Sequence, residues 1–240
     1  MFEIEIPGVG LVPLPEIEAE TAEDGTGYEV LDLLAFLVGD PLRGGSPSTV
    51  SLTLAIQVET GSRLMPDRVR ALRLLYARLW PLLGTEASQA VEYSRALLAL
   101  DWACRWACPR ALRQAGLLDE APKIDVLEPI TGLFPALAAL RVLTILTQRL
   151  REGFPRETRR VLANAIRACR TTARGLQAVT EGSLLAAAKT SADVAFYVGA
   201  SNPVVVWSSW AQLLDAQIEL SLHAERRVDL DRIGELRQAL

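Results

Sequence analysis

The stretch Gly132–Leu150, GLFPALAALRVLTILTQRL, decides the fold class. Between Glu128 and Arg149 its only charged residue is Arg141. Wound as a helix, Leu133, Phe134, Leu137, Leu140, Val142, Leu143, Ile145 and Leu146 point in every direction, and a helix that is apolar all round is a buried one. Its length and polar interruptions fall short of a bilayer span. The stretch therefore predicts a buried helix at the centre of a soluble helical domain. An unpaired buried charge is expensive, so Arg141 is expected to pair with a carboxylate or with backbone carbonyls of a neighbouring helix.

On either side of this stretch the pattern stays helical. Helix is expected over Tyr28–Val38, from Pro66 to about Leu79, from a Thr85 cap to about Cys108, and from Pro109 to Gly116. After the central helix stops at Gly153, Pro155 opens another that stops at Gly175, or bends there and stops at Gly182. Ser183–Val198 follows, then a helix begun by Asn202-Pro203 and running to about Arg226, and a last one capped by Asp229. Residues 50–58 are ambiguous. Val50, Leu52, Leu54, Ile56 and Val58 alternate as in a strand, whereas Ser46 and Gly61 bracket a helix. Helix is preferred, because few other strands exist for it to pair with.

Residues 1–25 differ from the rest. Phe2, Ile4 and Ile6 alternate with Glu3 and Glu5, Pro7-Gly8-Val9-Gly10 has turn chemistry, and Leu11–Leu14 suits a returning strand. Residues 1–40 hold ten acidic residues and no basic one, which makes this region an acidic arm. The expected architecture is all-α: a compact multi-helix bundle of about 8–10 helices with a short extended or β-hairpin N-terminal arm. Residues 1–25 form the arm and residues 26–240 a single helical domain.

Composition narrows the function. A chain that is 50% hydrophobic and 22% charged folds. A net charge of −4 argues against a protein devoted to coating nucleic acid. Only Lys123 and Lys189 among the 25 basic residues are lysine, a bias that points to a GC-rich bacterial genome. Glu3 and Glu5 stand where an export signal needs basic and then apolar residues, and with only three cysteines the expected location is the cytoplasm. The uncharged run Val194–Leu214 is broken by Gly199, Asn202 and Pro203, so no membrane span is expected there.

Motifs of catalysis are missing. There is no GxxxxGK[ST], HExxH or GxSxG, and Gly8-Val9-Gly10 lacks the third glycine of a dinucleotide loop. Cys104 and Cys108 share a helix face, but a metal site needs two further ligands and the chain has one histidine, His223. Buried core is the expected role of the thiols. No cofactor, metal ligand or catalytic residue is assigned. The aromatic pairs Tyr76/Trp80, Trp102/Trp106 and Trp207/Trp210 suit helix packing, each ring contributing roughly 1.5–3 kcal/mol when buried.

One surface stands out. On a helical wheel Arg156, Arg159, Arg160, Arg167, Arg170 and Arg174 share an arc of about 100° and a stripe about 27 Å long. Val161, Leu162, Ala165, Ile166, Ala168, Cys169 and Leu176 fall on the opposite side. Solvated helices interleave opposite charges at i,i+4; here Glu157 is the sole local carboxylate and lies off the stripe. These six arginines are the candidate binding residues. Three functions follow. The first is a non-catalytic interaction protein (adaptor, inhibitor or assembly component) whose partner presents an acidic surface, with the chain's own acidic arm as a possible occupant. The second is a nucleic-acid or phosphate-ligand binder using the same stripe. The third is an enzyme relying on scattered carboxylates and His223.

Overall fold

Seven α-helices, one π-helical turn and one β-hairpin account for nearly all the residues that the computed structural model describes, namely 2–6, 10–14, 54, 56–57, 88–154 and 160–220. Strands β1 (Phe2–Ile6) and β2 (Gly10–Leu14) pair antiparallel, with Phe2 opposite Leu14 and Ile6 opposite Gly10. The helices are α1 (Gln89–Asp101), a π-helical turn (Trp102–Ala107), α2 (Cys108–Gln114), α3 (Pro122–Asp125), α4 (Leu133–Gly153), α5 (Arg160–Thr180), α6 (Leu184–Gly199) and α7 (Pro203–Glu219). Together they make a compact multi-helix arrangement. Leu54, Ile56 and Gln57, from the segment of ambiguous periodicity, are helical. The acidic stretch 15–24, the helices expected over 28–38 and 66–79, the Tyr76/Trp80 pair, His223, Arg156 and Arg159 lie outside the described residues.

Local chemistry explains the boundaries. Ser88 Oγ caps α1 by accepting from the Val91 N–H, so the cap is Ser88, not Thr85. Asn202 Oδ1 caps α7 in the same way, accepting from Val205 N–H with Pro203 in the first turn. Gly182 takes φ +84°, a left-handed conformation that ends α5 cheaply only for glycine. The uncharged run 194–214 is therefore two helices around Asn202. Between α1 and α2 the chain does not break. The Cys108 N–H reaches back five residues to the Ala103 carbonyl. Pro109 has no N–H to give Arg105 and its ring crowds that turn, so the helix widens ahead of it. The wide turn stacks Trp102 on Trp106, with centroids 5.2 Å apart, and sets Trp102 edge-on to Trp210 at 4.9 Å. Both buried indoles are satisfied: Trp102 donates to Ser209 Oγ and Trp210 to the Gln57 carbonyl.

The central helix is α5, not the 132–150 stretch. α5 packs most extensively on α6, then on α4 and α2, and touches α1 and the π-turn. Its buried face is built of Leu162, Ala165, Ala168, Cys169, Thr172, Gly175, Leu176 and Val179. The helix runs straight through Gly175, where a Cβ would stand 2.5 Å from Thr190 Cγ2 and 2.7 Å from Leu100 Cδ2. Gly175 is thus a point at which side chains of α6 and α1 press directly against the backbone of α5. By contrast, α4 buries only Ala136, Ala139, Leu143, Leu146, Thr147 and Leu150. Leu133, Leu137 and Ile145 are exposed, and Phe134 is 85% exposed. Apolar character on every side did not mean burial on every side. Among the described residues α4 is the one helix long and apolar enough to cross a membrane by length and composition.

Arg141 corrects a second expectation. It is exposed on α4 and has no ion pair among the described residues. The buried arginine is Arg95, 1% exposed. Its Nε donates to the Gln217 carbonyl at 3.1 Å and its Nη1 to Glu92 Oε1 at 2.5 Å, while Gln217 Nε2 donates to the Arg95 carbonyl at 2.9 Å. This reciprocal clasp ties α1 to α7. Burial pushes the Arg95 guanidinium pKa down, and Glu92 opposes the shift.

Two outcomes follow for stability. Gly175→Ala adds a methyl where none fits, so it should destabilise by about 1–3 kcal/mol although alanine is the better helix former by about 1 kcal/mol. A Tm equal to or above that of the parent would show that α5 and α6 are further apart. Arg95→Ala strands Glu92 and the Gln217 carbonyl and should cost on the order of 3 kcal/mol. Arg141→Ala should stay within about 0.5 kcal/mol of the parent. Urea denaturation of the two variants side by side checks the contrast.

Candidate functional site

α4 and α5 are packed neighbours joined through residues 154–159, so α5 runs back along α4. Beside their contact lies a groove of about 1110 Å³. Its floor is largely apolar: Leu140 from α4, and Ala163, Ile166 and Ala173 from α5. Thr144 and Thr147 complete the α4 side, each hydroxyl already donating to its own helix at the Leu140 and Leu143 carbonyls. Phe154 closes one end.

The rim is basic. Arg167, Arg170 and Arg174 from α5 and Arg151 from α4 all line the groove and are all exposed. None has an ion pair among the described residues. Glu152 is the only carboxylate on the groove wall among the described residues, and its Oε1 accepts from Gln148 Nε2 at 2.9 Å. Gln177 lines the far end and donates to Glu181 Oε1. Four guanidinium groups therefore line one concavity in which the described residues supply a single carboxylate.

The six arginines marked out by sequence divide accordingly. Arg167, Arg170 and Arg174 lie together on the groove. Arg160 is exposed on the first turn of α5 and is not part of the groove wall. Arg156 and Arg159 are outside the described residues. The structure adds Arg151, which in sequence looked only like a cation placed near a helix C-terminus. No wheel of one helix reveals it, because it joins the others across a helix–helix contact. The apolar side of α5 was largely legible: Leu162, Ala165, Ala168, Cys169 and Leu176 are buried, whereas Val161 is exposed.

The cysteines converge in the core. Cys104, Cys108 and Cys169 are free and buried, and Cys108 Sγ lies 3.2 Å from Thr172 Oγ1. Burial pushes the Cys104 thiol well up. A hydrogen bond with Cys108, together with burial, does the same to Cys169. Protonated, inaccessible thiols are poor nucleophiles and poor metal ligands, and no group of three or more His, Cys, Asp or Glu among the described residues is arranged to hold a metal. The Trp102–Trp106–Trp210 cluster is likewise packing, with Arg110 seated 5.2 Å over the Trp106 ring.

No protein-family model matches the chain, and no characterised protein or solved structure shows significant similarity to it. The site therefore has to be judged on its chemistry.

Thiol titration offers a check on the core. Ellman's reagent at pH 8 should leave all three cysteines unmodified in the native protein and label them only on unfolding. Rapid labelling of even one thiol before unfolding would show that this part of the core opens.

Proposed function

We propose that the chain is a non-catalytic helical interaction protein, an adaptor, inhibitor or assembly component, which engages an acidic partner through its arginine stripe. The observation that supports this is the groove rim: Arg151, Arg167, Arg170 and Arg174 around one concavity, with Glu152 the only acidic residue on it among the described residues. Like charges so arranged repel one another, by a few tenths of a kcal/mol per helix pair. An acidic surface relieves that repulsion and gains paired, forked hydrogen bonds from guanidinium groups. Arg156, Arg159 and Arg160 precede these arginines in sequence and belong to the same stripe on the helical wheel. The work is binding and needs no cofactor, and it takes place in the cytoplasm within a single helical domain, residues 26–240.

A phosphate ligand or nucleic acid is the second reading, since the same planar forks hold phosphate. The apolar floor weighs against it. Leu140, Ile166 and Ala173 give a phosphate backbone nothing to bind, whereas a protein partner gains by covering them.

The test is charge reversal. Arg167→Glu, Arg170→Glu and Arg174→Glu combined, with folding confirmed by circular dichroism, should abolish capture of the parent's partners from the source cell. Nuclease treatment should leave that capture intact. Retention of every partner by the reversed variant would make the stripe a merely solvated face. Loss on nuclease treatment alone, with log affinity falling against log salt at a slope of about −4, would favour nucleic acid.

A further inference from the structure

Resting on the acidic-partner reading, we infer that the groove's occupant is an acidic amphipathic α-helix, which lies along α4 and α5 as the third helix of a three-helix bundle. Three features of the walls carry this.

The first is periodicity. Along α4 the groove side carries Leu140, Thr144, Thr147 and Arg151, and the exposed Leu133 and Leu137 continue the row, spaced by alternate steps of four and three residues. Along α5 the wall is Ala163, Ile166, Arg170, Ala173 and Gln177, spaced by three and four. Heptad spacing is what a helix presents to a helical neighbour that stays beside it for several turns. α4 already uses Ala136, Ala139, Leu143, Leu146 and Leu150, also at three and four, for its buried side. It carries two seams, and one is open.

The second is the lack of any other docking chemistry. Both walls are α-helices, whose backbone groups are bonded within the helix. No sheet edge is offered to an extended peptide, so side chains alone must recognise the occupant, as in helix-in-groove binding. From Leu140 to Glu152 the groove is about 18 Å long, or about three helical turns.

The third is the distribution of charge. Arg167, Arg170 and Arg174 follow at three and four residues on one wall, and Arg151 stands on the other. An apolar seam between two basic edges fits a helix with leucine-like residues on its inner face and carboxylates flanking them on both sides. The seam also continues past the arginines. Leu133 and Leu137, each 44% exposed, extend it toward the start of α4. The occupant is therefore graded: acid-flanked where it lies between Arg151 and Arg174, and more apolar where it crosses Leu137 and Leu133. At full length it spans about 27 Å, or about five turns.

The test uses the full-length protein and a synthetic, fluorescently labelled peptide of about five turns. The peptide carries leucines at heptad spacing, with glutamates flanking the half that faces the arginines. A second peptide of the same composition has its order scrambled to destroy the seam. Heparin and phosphatidylglycerol vesicles serve as a polyanion and an anionic lipid surface. The seam peptide should bind, gain helical circular dichroism on mixing, and bind about tenfold more weakly to an Arg170→Glu/Arg174→Glu variant. Exchanging the peptide's glutamates for lysines should restore affinity for that variant. Leu137→Glu should weaken the five-turn peptide while leaving a version shortened to the three arginine-facing turns unaffected.

Equal binding of the scrambled peptide would overturn the helical occupant yet leave an acidic partner standing. Binding of heparin or vesicles alone would overturn both, as would a reversed variant that binds the seam peptide as tightly as the parent. If neither peptide binds, the helical occupant is overturned, and the pull-down decides the broader reading.

Discussion

The close approach at Gly175 is the constraint on which the helical arrangement depends. With no side chain there, α5 comes near enough for its backbone to rest against Thr190 of α6 and Leu100 of α1. Small neighbours continue the contact, with Ala165 and Ala168 on α5 and Ala187, Ala188 and Ala195 on α6 all buried. Helices that meet through alanine and glycine pack tightly and gain dispersion contacts over their length. Once α6 covers that face, the opposite face of α5 is left to the arginines. The basic rim is thus a consequence of where the small residues lie as well as of where the arginines lie.

A buried helix and an interaction helix look alike in composition, and α4 shows why. One of its seams packs into the protein and the other runs along the groove. Its apolar residues outnumber those that the described structure covers, and Phe134, Leu133, Leu137 and Ile145 remain at the surface. Exposed apolar groups that form a continuous stripe beside unpaired charges mark a surface shaped for contact, whereas scattered ones need no explanation. The groove combines both kinds of surface. Its floor is apolar and its rim basic, and the proposal of an acidic protein partner rests on that combination.

Buried polarity elsewhere is spent on holding helices together. Arg95 and Gln217 exchange hydrogen bonds between α1 and α7, Gln57 reaches Ser191, and Asp101 Oδ1 accepts from the Ile130 N–H to pin the loop before α4. The indoles of Trp102 and Trp210 are tied off in the same way. Each of these contacts ties together segments distant in sequence, and burial keeps the Cys104 and Cys169 thiols protonated. Arg151, Arg167, Arg170 and Arg174 differ from these in lining one groove at the surface with no ion pair among the described residues.

Much of this was legible in the chain before folding. Helix and its breaks are short-range properties, set by backbone sterics and capping within a few residues. Gly153, Gly182 and Asn202-Pro203 therefore marked their positions correctly, whereas Pro109 widened the helix without breaking it, and the two-sided character of α5 followed from its 3.6-residue period alone. Tertiary structure decided everything that depends on which faces meet. It chose α5 over α4 as the central helix, because burial follows the small residues that permit close approach and not the largest count of leucines. It buried Arg95 and exposed Arg141, since a charge is tolerated inside only where a second helix supplies the acceptors, and α7 supplies them 122 residues away. It brought Arg151 to the stripe of α5 and turned a charged helix face into one wall of a groove. No local pattern encodes that pairing, because it is fixed by the packing of side chains far apart in the sequence.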